Sequence, residues 1–577
     1  MLKSKFTILF IFILLPILFS CNSSESESSD RMRRPIKGDA IYGGLLRMNI
    51  SDEIRSIFPH NMVDASAHSL MNQVYEGLVQ IDKETQAISP ALAERFEVSA
   101  DGKLYTFHLR EDVFFHDDKI FENGKGRQMK AMDVVTCFEK LCEPSPYNQM
   151  YAFVIDIIKG GRVHYESVQT NPEGNNGLFG VREISDFVVE IELEYPAPTF
   201  ITILTHPCCW IFPAEIYKYG EEINNWCIGT GPFKARTVKM NEVMIFERNP
   251  AYWQEDDLGN SLPYLDAVRC NFIPSDRQQL SEFLGGNLDL ILRVPFENIA
   301  GLEERIKSDP ENSPFRIITQ QGLRVEYYGF QHRNDLFGDE KVRKAINFAI
   351  DREFLVNEVL LGYGVPATKG FVPPSMPGFD KIEKEGFTFK PELARQLLSE
   401  AGYEGGDGFP VITIQLNDGN QTAIEVATAV QEMLTENLGI TVELSVLPRD
   451  KHYDQIEMGH VNFWRDGWIA DYPDPENFLK LFHGKLVPQD SQKASYLNTV
   501  RFKNAKFDEY FESSLRETDA KVRMELFHKA DQEIINHAAV APLYYEKWIW
   551  LVGSDVQNLE SNNMGELDLS RVYFKKL

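Results

Sequence analysis

An α/β chain of two bodies, the first carrying a β-rich insert, is the fold class the sequence predicts. Three observations carry it. The 577 residues exceed what one hydrophobic core ordinarily serves, so two to four domains are expected. The segments "PVITIQLN", "TAIEVATAVQEML" and "ITVELSVL" between 410 and 447 make a strand–helix–strand unit, which implies a right-handed parallel crossover. From about 81 to 200, by contrast, short alternating segments dominate, as in antiparallel β-structure.

Each element follows from local pattern. "AIYGGLLRMNI" (40–50) alternates as a strand, and "HSLMNQVYEGLVQID" (68–82) reads as a helix running into a strand. "KLYTFHLREDVFFHDD" (103–118) predicts a hairpin, "MKAMDVVTCFEKLC" (129–142) a short helix, and "FVVEIELE" (187–194) a strand. "GTGPF" (229–233) is a turn leading into the strands "FKARTVKM", "NEVMIFERN" and "AVRCNFI". It is not a phosphate loop, because no helix with Lys-Ser/Thr follows. After about 320 strands and helices alternate. "KVRKAINFAI" puts Val342, Ala345, Ile346, Ala349 and Ile350 on one helical face. "KPELARQLLSEAGY" opens on Pro391, carries Leu393, Leu397, Leu398 and Ala401 as its stripe, and stops at Gly402. "APLYYEKWIWLV" (541–552) is an apolar strand.

Composition is that of a folded globular protein, and a formal net charge of −27 argues against a nucleic-acid partner. The N-terminus is a secretory signal: Lys3 and Lys5, an apolar core from Phe6 to Phe19 broken by Pro16, then Ser20-Cys21. Leu18-Phe19-Ser20-Cys21 resembles the bacterial lipoprotein box, whose cysteine becomes the lipidated first residue. The following "NSSESESSD" suits a flexible tether, since it can bury nothing. A membrane anchor through Cys21 is therefore expected. Cys137, Cys142, Cys208, Cys209, Cys227 and Cys270 remain. The compartment is oxidising and permits a disulfide, although buried thiols with at most one bridge are the simpler expectation. There is no zinc-spaced CxxC pair and no HExxH, and no metal or cofactor is expected. His108 and His116 fall in a strand pattern and read as structural. GxSxG, Ser-Lys and paired-carboxylate arrangements are also missing, so no enzyme is expected.

"GWIADYPDPENF" (467–478) places two aspartates among Trp, Ile, Tyr, Phe and Pro. Asp474 precedes Pro475, Glu476 and then Phe478, Leu479, Leu481 and Phe482 at helical spacing, as an N-cap does. Asp471 is open to two readings: the cap of a turn before Tyr472-Pro473, or a contact for a cationic ligand. Trp464 and Trp468, expected on either side of one strand or turn, are either core or pocket wall.

Several segments, in order along the chain, carry a resemblance: "LAERFEVSADGKLYTFHLREDVFFHD", "KAMDVV", "GTGPF", "ERNPAYW", "KVRKAINFAIDRE", "KPELARQLLSEAGY", "GWIADYPDPENFLKLFH" and "FDEYFESSLRETDAKVRMELFHKADQEIINHAAVAPLYY". Together they resemble the peptide/nickel (family 5) solute-binding proteins of ABC importers. The resemblance implies a two-lobed type II periplasmic-binding-protein-like fold with an extra β-rich domain inserted in the first lobe. After the signal peptide at 1–20 and the tether at 21–37, it places lobe I at 38–80, 200–318 and 541–577, the insert at 81–199 and lobe II at 319–540. It further implies a monomeric receptor in the periplasm that captures short peptides and delivers them to an ABC permease driven by ATPase subunits. Exposure on the outer surface is kept open by the acidic tract after Cys21. Oligosaccharide, a nickel chelate or haem are the rival ligands within the fold, and a surface lipoprotein for scavenging or sensing is the rival outside transport.

By the same resemblance, Asp471 takes the ligand's α-ammonium and Trp468 walls a side-chain pocket, with Trp464 a second candidate. Arg465 matches a position that can hold a peptide carboxylate, with a surface ion pair as its alternative. The "VDAS" loop around Ala65 offers backbone to an extended ligand. A carboxylate shut between lobes is costly until an opposite charge joins it. Every peptide supplies that charge at its amino end, so one fixed aspartate suits a receptor indifferent to side chains.

Overall fold

The computed structural model describes residues 34–575 except 84, 172–176, 381–385 and 491. The signal segment, Cys21 and most of the expected tether lie outside the described residues. Two long strands organise the chain. Phe315–Phe330 and Val540–Gly553 pair antiparallel from Phe315↔Gly553 to Gly329↔Val540. Leu290–Ile291 extends the sheet at one end of this ribbon. Phe463–Ile469 pairs with Arg324–Phe330 at the other, followed by Ile412–Asn417 and Val442–Leu447 in parallel. With Gly364–Pro366 these strands form one seven-stranded sheet. Its register shifts between Gln321 and Val325 and again between Glu326 and Tyr327, irregularities that bend and twist a strand.

The expected crossover is present. Gln421–Leu438 is a helix between the parallel strands, with Asn420 Oδ1 accepting from the Ala423 N–H at 2.9 Å and Gly439 ending it at φ 71°. Helix Glu340–Ala349 buries Val342, Ala345, Ile346 and Ala349 beneath the same sheet, in one core with Phe330, Ile414 and Val430. Helix Pro391–Glu400 begins on its proline as expected.

The first body holds a four-stranded sheet in the order 233–239, 243–248, 267–272 and 45–50, its last pair parallel. "GTGPF" enters it where the backbone must approach closely: a Cβ on Gly229 would stand 2.0 Å from the Val74 carbonyl oxygen. His116 Nε2 donates to the Gly231 carbonyl at 2.8 Å. Burial drives this ring down to about 4, so it is a neutral structural tie.

The hairpin expected over 103–118 does not form. Leu104–Leu109 is a strand, but its neighbours are Ala93–Val98 and Val188–Glu192, and Phe114 makes only an isolated bridge to Gln128. Val113 and Phe115 are buried, and the His116 N–H donates to the Gly229 carbonyl at 2.9 Å. That burial and the GTGPF turn outbid local alternation. The curled sheet 93–98, 104–109, 188–192, 181–185 does not own a separate core. Phe107, Leu109, Val189 and Ile191 share one continuous cluster with Leu46, Met48, Phe233 and Phe246. The six cysteines are all buried free thiols, including Cys208 and Cys209 with sulfurs 3.8 Å apart, so the permitted bridge is not formed.

Candidate ligand-binding site

Strand Phe463–Ile469 runs into the segment holding Asp471, and the Ala470 N–H donates to the Leu323 carbonyl at 2.9 Å. One residue then sets the local geometry. Asn477 is fully buried. Its Oδ1 accepts from Trp468 Nε1 at 2.8 Å and from the Asp471 N–H at 3.1 Å. Its Nδ2 donates to Asp471 Oδ2 at 3.0 Å. Asn477 is held in turn by Asp474, whose carbonyl accepts from the Asn477 N–H at 3.0 Å and whose Oδ1 accepts from the Glu476 N–H at 2.9 Å. The expected N-cap is thus the base of the site. Helix Glu476–Leu479 continues as a 3-10 turn over 480–482, which buries Phe478, Leu479, Leu481 and Phe482.

The Asp471 side chain remains 36% exposed, with Lys480 Nζ 3.8 Å from Oδ2. Among the described residues Oδ1 has no hydrogen-bond donor. Lys480 is shared, since its Nζ also donates to the Tyr472 hydroxyl at 3.4 Å. The first body lies nearby. His68, in helix Ala65–Met71, and Cys208 both lie within the field of Asp471. Burial lowers the His68 pKa, against the Met62 carbonyl bond and the Glu566, Asp471 and Asp64 charges. Burial raises the Cys208 thiol, and Cys209 and Asp471 add to it. The two bodies touch beside this point. Tyr472 is part of the first body's core and meets Phe153 edge-on at 6.4 Å, while Phe153 stacks on His206 at 4.4 Å. Arg523 Nη2 donates to Thr199 Oγ1 at 2.8 Å and to Asp474 Oδ1 at 3.0 Å.

The other predicted residues take distinct places. Trp468 is half-buried beside Asp471. Trp464 has no exposed surface and lies over Gly329, where a Cβ would stand 2.5 Å from the indole. The tryptophans occupy positions four apart in one strand, so they share a face instead of flanking it, and both pack on the same core. Arg465 is buried instead of on the surface. Its guanidinium pairs closely with Glu326 and donates to Asn417 Oδ1 at 3.1 Å. Glu326 also accepts from Arg324 at 2.6 Å. Ala65 is exposed, but it opens a helix, so the expected loop ends at Asp64. A small hollow of about 90 Å³ lies in the first body, lined among others by Gln73, Glu76, Tyr252 and Glu566; none of the five predicted residues lines it. Sequence reasoning missed Asn477, His68 and Lys480. An amide inside the apolar run "PENFL" was the signal available for the first.

Two bodies joined by paired long strands, with a half-exposed carboxylate set where they meet, are an arrangement suited to holding a ligand between lobes. Comparison with known proteins agrees. The family model for bacterial extracellular solute-binding proteins, family 5, matches residues 87–487. The chain belongs to that family, whose members act as binding proteins and not as enzymes. It is 27% identical over 587 residues to the oligopeptide-binding protein OppA of Bacillus subtilis, covering 99% of this chain and 98% of that protein. It is 29% identical over 490 residues to heme-binding protein A of Haemophilus influenzae, covering 83% and 82%. Among solved structures, the DppA periplasmic binding protein of Helicobacter pylori in complex with the peptide STSA superposes with a TM-score of 0.72 at 24% identity, covering 93% of this chain and 99% of that one. HbpA2 from Haemophilus parasuis superposes with a TM-score of 0.74 at 22% identity, covering 92% and 100%. At these identities the structural likenesses carry the fold alone.

Proposed function

We propose that this chain is the receptor of an ABC importer, capturing short peptides between its lobes and delivering them to a membrane permease. The observation that carries the reading is Asp471. One of its oxygens is held by Asn477 and the other has no donor among the described residues, at the meeting of the two bodies, where a ligand's amino end completes a charge pair. Trp468 walls the adjoining pocket, and the backbone at Ala65 lies alongside the extended peptide. Trp464 and Arg465 act from behind, holding the strand that presents Asp471. Relatives named for oligopeptides, dipeptides and glutathione support a peptide ligand. Lobe I at 38–80, 200–318 and 541–577, the insert at 81–199 and lobe II at 319–540 are consistent with the strands Phe315–Phe330 and Val540–Gly553 crossing side by side between the bodies. Closure is a hinge motion about that ribbon.

The receptor acts as a monomer in the periplasm, tethered through lipidated Cys21. Replacing Cys21 by alanine should move the chain from the membrane fraction to the soluble one. Calorimetric titration of the purified chain with di- to pentapeptides, N-acetylated versions of the same peptides, oligosaccharides and haem tests the ligand class. Tight binding of free peptides and markedly weaker binding of acetylated ones is expected. Binding of sugar or haem in preference to peptide would overturn the reading.

A further inference from the structure

Two helices of the strand-rich segment bring together three side chains that the sequence keeps apart. Glu139 lies in the last turn of helix Ala131–Leu141 and Glu143 just beyond it, four residues on and over the same face. His164 comes from the first turn of helix Gly161–Thr170. One ligand atom from each lies within 4.8 Å of the other two. We propose that Glu139, Glu143 and His164 form a binding site for a divalent transition-metal ion of the zinc type, separate from the interlobe site.

The case rests first on His164. It is 2% exposed, and neither ring nitrogen has a hydrogen-bond partner. Any imidazole tautomer carries at least one N–H donor, and buried donors are almost always satisfied. Glu143 Oε1 stands 3.6 Å from His164 Nε2, beyond hydrogen-bond length. Two ligands on one tetrahedral zinc ion, each about 2.0–2.1 Å from the metal, stand about 3.4 Å apart. The gap therefore has the width of a shared ion.

The surroundings direct ligation to these side chains. Lys140 Nζ donates to Glu143 Oε2 at 2.8 Å, and Oε1 is the oxygen that stands 3.6 Å from the histidine. The carbonyls of Lys140, Leu141 and Glu143 share the two hydrogens of Asn148 Nδ2, which lies 3.1, 2.9 and 2.8 Å from them. The ion would sit at a helix C-terminus, whose partial negative charge favours a cation. Glu139 and Glu143 are only partly buried. Carboxylate and imidazole donors suit zinc and its neighbours in the first transition row.

The test is Zn²⁺ titration of the purified full chain, read by calorimetry and by thermal unfolding, beside Glu139→Gln and His164→Gln. One zinc per chain is expected, with a midpoint that climbs with zinc concentration. Affinity should fall about tenfold or more in each variant. Glu139→Gln is the deciding variant if His164→Gln does not fold, because Glu139 is partly exposed. No zinc-dependent rise in the unaltered chain, or a loss of less than about tenfold in Glu139→Gln, overturns the proposal.

Discussion

Replacing Asp471 by asparagine is the most direct perturbation of the interlobe site. The substitution keeps an oxygen for the Asn477 Nδ2 donor, 3.0 Å away in the unaltered chain, so the geometry of the turn is preserved while the charge is removed. Truncating one partner of a fully desolvated charge pair costs about 2–5 kcal/mol. Two features of the structure move the expectation to the lower part of that range. The carboxylate is 36% exposed before ligand arrives, and Lys480 at 3.8 Å already offsets some of its field. About 2–3 kcal/mol is expected, or a roughly 30- to 150-fold rise in Kd. Calorimetry with one peptide in free and N-acetylated form completes a double cycle. Acetylation should weaken binding to the unaltered chain by a similar factor and change binding to Asp471→Asn little further, since both changes remove the same pair. Equal affinity of the two proteins for the free peptide would refute the assignment of Asp471.

Other consequences follow from the same network. Arg465→Ala leaves Glu326 buried with Arg324 alone, so unfolding in denaturant should show a loss of about 2–3 kcal/mol, below the usual 3–5 because one partner remains; unchanged stability would contradict the buried pairing. Asp466 is raised from 3.8 to about 6, mainly by burial. A carboxyl that holds its proton more tightly when folded stabilises the fold at low pH, and that contribution is lost as pH rises from about 4 through about 6. Relative to the unaltered chain, Asp466→Asn should therefore gain about 3 kcal/mol of stability across that window, as read by denaturant midpoints at pH 4 and 7; parallel profiles would refute it. Gly329→Ala drives a methyl to within 2.5 Å of Trp464 and should cost about 1–3 kcal/mol by overpacking, again measured by denaturation.

What was legible in the sequence was whatever local chemistry decides. The stripe of Val342, Ala345, Ile346 and Ala349, the crossover around Gln421–Leu438, and the Asp474-Pro475 helix start are short-range patterns, and each appears where expected. Family membership was legible as well, because motif order survives divergence. The hairpin over 103–118 was misread because its alternation is real but its second half belongs to a distant turn, through His116 and Gly229. Arg465 and Trp464 show the same limit at the site: residue type and spacing announce a charge and a ring, yet not that Glu326 and Gly329 wait opposite them. Tertiary structure alone decided that Asn477 grips both Trp468 and Asp471, and that Tyr472 beside them packs into the core of the other body. It alone, too, brought His164 beside two glutamates. The physical reason is common to all of these. Periodicity and capping act within a few residues, whereas burial, charge pairing and desolvation depend on which distant segments the folded chain sets side by side.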